Sequence, residues 1–147
     1  MMKQAQFDRV ITIEDNKSFT WENRDWGVEH LAVIKSESME MHHKKVLPHS
    51  VGIPHKHHYE TLYYVLSGEI ISISGENLEH VSIQKAGSYV HVPNGVLHTV
   101  ANLSDESAIT LVVHNIHDVE DKCTTYFEKE DIAKRVIAKL ANDTFVK

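Results

Sequence analysis

Basic clusters, disulfide partners and long apolar runs are all scarce or missing in this chain of 147 residues. The single cysteine, Cys123 in Asp121-Lys-Cys-Thr-Thr125, excludes an internal disulfide and fits a reducing compartment; no chemistry is assigned to it. Lysine and arginine number 15 against 21 acids, a formal net charge of −6. That balance argues against nucleic acid as a partner, and the short Lys44-Lys45 pair reads as a solvated strand face. No run reaches membrane-spanning length, and Met1 to Arg9 has no apolar h-region. A cytoplasmic protein without a membrane partner is therefore expected. Internal repeats, low-complexity segments and helical periodicity in the middle of the chain are also missing.

What is present is a series of short strand patterns broken by glycine, proline and asparagine. Val10–Ile13 and Phe19–Trp21 are strand candidates near the start, with Trp21 and Trp26 as core or interface anchors. Val28–Lys35 and Met39–Leu47 follow, the second placing His42 and His43 on opposite faces. Thr61–Leu66, Ile70–Ser74, Glu79–Gln84, Tyr89–Val92, His98–Asn102 and Ala108–Ile116 complete the set. Strands this close together predict an all-β sandwich or barrel in one domain. The period changes only near the end. Ile132, Ala133, Val136, Ile137, Leu140 and Ala141 share one helical face, with Thr125-x-x-Glu128 as a capping box. That helix is expected to pack outside the barrel or at a subunit contact.

Histidine is abundant, at 12 residues, but the number matters only where spacing supports chemistry. His55 and His57 share one face of a strand, because side chains at i and i+2 point the same way. His98 follows a Pro93-Asn94-Gly95 turn and opens another strand. Three imidazoles on a sheet scaffold predict a site for a divalent transition metal.

The run Gly87-x5-Pro93-x-Gly95-x2-His98-x3-Asn102 resembles the second cupin motif at every fixed position. Average usage gives its three Gly/Pro positions a chance match of roughly two or three in ten thousand. The first cupin motif, G-x5-H-x-H-x(3,4)-E-x6-G, is matched in part: His55 and His57 supply H-x-H, and Gly68 the closing glycine. Thr61 stands at the glutamate position counted back from Gly68, with Glu60 one residue early, and His49 stands at the opening glycine. The resemblance implies a double-stranded β-helix, the cupin jelly-roll barrel, over residues 28–117. Strands or an arm would occupy 1–27 and a C-terminal α-helix 125–142. It also implies a metal site inside the barrel mouth, held by His55, His57 and His98. Asn102 shares the face of His98 and either orients backbone or meets a ligand.

Without the glutamate, three neutral imidazoles leave a divalent ion near +2, a strong site for anions and chelating substrates. A bulge could instead turn Glu60 inward as a fourth ligand, while His58 and His49 rank behind it. Tyr59, Thr61, Tyr63, His91 and His114 are candidates for the pocket, the two histidines weighed against plain structural roles. Fe2+ is the favoured ion, with Zn2+, Ni2+ and Mn2+ as others that imidazole suits. The expected function is a metal-dependent enzyme for an anionic or chelating small molecule, and a dioxygenase is one form of it. A metal-dependent isomerase, lyase or cyclase, and a non-catalytic module for a small ligand or sugar, are the alternatives. Trp21, Trp26 and the terminal helix, with the common habit of single-domain cupins, predict a homodimer.

Overall fold

Alternating inward and outward side chains build two antiparallel sheets that close on each other as a double-stranded β-helix. The computed structural model describes residues 9–25, 27–115, 124–126 and 129–145. Trp26, Cys123 and Glu128, and the expected strand end at Ile116, lie outside them.

The first sheet has the order β1-β2-β3-β11-β6-β9. These strands are β1 Glu22–Asp25, β2 Val28–Lys35, β3 Glu40–Val46, β11 Ala108–His114, β6 Thr61–Ser67 and β9 Tyr89–Val92. The second runs β12-β5-β10-β7-β8: Thr124–Tyr126, His55–His57, His98–Asn102, Glu69–Ser74 and His80–Lys85. A short β4, Ser50–Val51, pairs with β10. Helix α1 spans Glu130–Phe145. No helix among the described residues is long and apolar enough to cross a membrane.

β7 is covered on both sides, which sets the layers of the molecule. Ile71 and Ile73 face outward and join Leu78, Leu97 and Ala101 in a cluster with Ala133 and Ile137 of α1. Ile70 faces inward to Val28, Val46, Val65 and Ala108. The amphipathic helix thus spends its apolar face on the outer surface of the second sheet, one of its two expected positions. Burying a side chain such as Ile137 there contributes about 1.5–3 kcal/mol.

Three local expectations change. Val10–Ile13 forms no strand; Val10, Ile11 and Ile13 are exposed, since alternation becomes a strand only when a neighbour supplies the ladder. Phe19–Trp21 gives way to β1, beginning at Glu22. Part of the stretch read as helix from 125 is instead β12, whose Thr124-Thr-Tyr126 pairs with His57-Lys-His55. β-branched and aromatic residues favour that ladder.

Candidate metal centre

Strand register brings together what the sequence separates. His55 of β5 pairs directly with His98 of β10, and β10 pairs onward with β7. His57 is two residues along β5 on the same face. The three imidazole centroids lie 4.7, 4.4 and 5.2 Å apart for 55–57, 55–98 and 57–98. One ring nitrogen from each falls within 4.8 Å of the others.

The backbone fixes which nitrogen faces the centre for two of them. His55 Nδ1 is 2.7 Å from the Ile53 carbonyl and His98 Nδ1 is 2.8 Å from that of Val96. A carbonyl only accepts, so each Nδ1 carries the proton and Nε2 keeps its lone pair, as a metal ligand requires. His57 lies stacked on Tyr59, centroids 4.7 Å apart. Burial, then the neighbouring His55, His98 and Lys44, pushes His57 down to about 2. Burial and His55 take His98 to about 4 against the upward pull of Val96, and His55 is lowered mainly by burial. All three rings are therefore neutral at pH 7. The residues fit a transition metal.

The cluster opens on a cavity of about 610 Å³ inside the barrel, within the range of small-molecule sites. Val28, Val46, Ile70, Val100 and Val112 give it apolar walls; Lys44, Thr61 and Tyr63 put polar groups into it. Thr61 is 6% exposed and its Oγ1 has no hydrogen-bond partner among the described residues. Tyr63 OH donates to Gln84 Oε1 and also meets Ser72 Oγ at 3.1 Å, and burial raises its pKa.

The remaining sequence candidates separate. Glu60 does not join the three histidines; its carboxylate accepts from His91 Nε2 at 2.9 Å on the exposed side, with His91 at the cavity rim. Thr61 begins β6 with its pairing to Val92 and His114 in regular step, so no local bulge rotates Glu60 inward. His58 is exposed, and His49 is bonded to Asp105 at 2.7 Å on the surface. Tyr59 is buried behind His57, between it and His114. Asn102 serves the backbone: its Nδ2 donates to the carbonyls of Val46 and Glu106, and its Oδ1 accepts from Ser104. Lys44 was missed as a pocket residue. Its signal was its parity with His42 and Val46 on a half-buried strand.

The cupin domain model matches residues 42–114. No curated relative matches the chain. The polyketide cyclase RemF from Streptomyces resistomycificus is similar in structure, with a TM-score of 0.63 and 18% identity over 76% of this chain and 87% of that one. An RmlC-like cupin from Shewanella frigidimarina gives 0.63 and 15%, over 79% and 99%. The protein TT1209 from Thermus thermophilus gives 0.59 and 28%, over 72% and 98%. Motif, barrel and family model agree: the chain belongs to the cupin superfamily.

Proposed function

We propose that the chain is a metal-dependent enzyme for a small anionic molecule, with His55, His57 and His98 holding one divalent transition ion. The observation that carries this reading is the presentation of Nε2 by His55 and His98 toward His57 on the wall of a closed barrel. Fe2+ is the favoured ion, and Zn2+, Ni2+ and Mn2+ also suit imidazole. When bound, such an ion supplies Lewis-acid polarisation of a chelating substrate and, as Fe2+, redox chemistry with dioxygen.

The chain's own groups do the rest. Three neutral imidazoles leave the full charge of the ion in the cavity, and Lys44 adds a cation on the facing sheet. A carboxylate, enolate or thiolate is attracted by both. Thr61 Oγ1, where the family pattern has glutamate, is free to donate a hydrogen bond to that anion. The valine and isoleucine walls lower the local dielectric and so strengthen each of these interactions.

Untagged protein is expected to retain a transition metal and lose it from this site in His57→Ala. Metal-free protein after loading with Fe2+, Mn2+, Ni2+ and Zn2+ would sink the reading and leave a plain ligand-binding barrel. Oxygen uptake with thiols, diketones, catechols and keto acids then separates an oxygenase from a Lewis-acid isomerase, lyase or cyclase. The structural likeness to a polyketide cyclase supports keeping that second form. Thr61→Glu should tighten metal binding while lowering affinity for anions, because one carboxylate cancels one positive charge.

A further inference from the structure

A second group of ligating side chains lies deeper in the barrel. Glu40 and His42 are two residues apart on β3, and the register of β11 places His114 opposite Glu40. All three are buried, with relative exposures of 1%, 8% and 4%. One donor atom from each falls within 4.8 Å of the other two. Glu40 Oε2 lies 3.2 Å from His42 Nε2, and its Oε1 lies 3.3 Å from Lys35 Nζ.

His114 is the anomaly. Both of its ring nitrogens are buried without a hydrogen-bond partner among the described residues. Buried polar groups in folded proteins are almost always satisfied, and one left unmet destabilises the fold. Its ring contacts, His42 and Tyr59 at 4.6 Å each, satisfy neither nitrogen. An imidazole beside a second imidazole and a carboxylate is a recurrent ligand set for Zn2+ and related ions.

We propose that Glu40, His42 and His114 bind a second divalent transition ion, separate from the three-histidine cluster. The carboxylate brings the net charge of such a centre to about +1, which a buried site tolerates better than +2. Lys35 remains on the other carboxylate oxygen and orients it. An ion taken by His42 Nε2 displaces the hydrogen bond to Glu40 Oε2, and the neutral ring then carries its proton on Nδ1. The Tyr59 ring stands between the two clusters, stacked on His57 and packed on His114, which makes them independent centres. The second ion clips β3 to β11, the strands that carry Lys44 and Val112 into the cavity wall. Its expected role is to stiffen that wall.

The test is Zn2+ stoichiometry on the full, untagged chain after chelator stripping, reloading and desalting, read by elemental analysis. About two ions per chain are expected in the wild type, and about one in His57→Ala and in Glu40→Gln. In the His57→Ala background, Zn2+ should raise the Tm, and adding Glu40→Gln should weaken that binding on the order of 100-fold. His114→Gln serves as a second variant if Glu40→Gln fails to fold. One ion in the wild type and none in His57→Ala overturns this proposal and leaves the three-histidine reading standing. One ion that survives His57→Ala but is lost in Glu40→Gln does the reverse. An ion that survives both changes together overturns the second site.

Discussion

His49 holds a left-handed backbone, φ 54°, in the turn ahead of β4. For a residue with a Cβ that geometry costs roughly 1–2 kcal/mol, whereas glycine adopts it freely. This explains why the cupin pattern opens its first motif with glycine at this place. The His49–Asp105 pair offsets little, because both side chains are exposed and such pairs contribute about 0–1 kcal/mol. His49→Gly and His49→Ala both lose the pair, so their difference isolates the backbone. The glycine variant should be more stable than the alanine variant by about 1 kcal/mol in urea unfolding; equal stabilities would refute the strain. Other single residues were readable in advance to different degrees. His55, His57 and His98 could be found because parity and motif spacing are local. Parity also points Glu60 away from Thr61; its bond to His91 could not be read, since His91 arrives on another strand.

The hairpin from β6 to β7 turns at Gly68, φ 79°, the closing glycine of the first motif. A Cβ there would stand 2.7 Å from Ala108 Cα and 2.8 Å from the Ser107 carbonyl. Both are backbone atoms of β11 and its approach, so neither can move without disturbing the central strand of the first sheet. At Gly95, φ 81°, an added Cβ meets nothing within 4 Å. Gly68→Ala should therefore cost about 3 kcal/mol or more, and Gly95→Ala only the conformational term of about 1 kcal/mol. Chemical unfolding of the two variants checks the ranking, and a larger loss at Gly95 would contradict it. At this scale the strand series, the turns and the terminal helix were legible, because each has its own period. The group formed by Glu40, His42 and His114 was not. It exists only through the cross-strand register of β3 with β11, which no periodicity within either strand encodes.

Stability of the whole molecule should follow the buried imidazoles. His98 and His114 are held near 4, and His57 near 2, against 6.5 for the free side chain, burial being the main cause in each. Between pH 6.5 and about 4 the unfolded chain binds protons that the folded one refuses, so stability falls as pH falls through that window. Above 6.5 these groups are neutral in both states and the effect vanishes. For chelator-stripped protein the urea midpoint should fall steadily from pH 7 to 4.5; a flat midpoint over that range would contradict this. The outer face of the first sheet predicts assembly. Cross-strand rows place Ile34, Met41, Val113, Leu62 and His91 side by side, then Ala32, His43, Leu111, Tyr64 and Tyr89. Met41, Leu62, Leu66 and Tyr89 are 42–86% exposed, although α1 has its apolar face already buried against the other sheet. Exposed apolar side chains of this breadth, with the exposed His91–Glu60 pair at one edge, make this face the expected contact with a second copy of the chain. Light scattering should give twice 16.8 kDa. Leu62→Glu, which would place a carboxylate in that interface, should return the protein to a monomer with its metal content unchanged. A wild-type monomer, or a Leu62→Glu protein that stays dimeric, would show that the face does not join two copies.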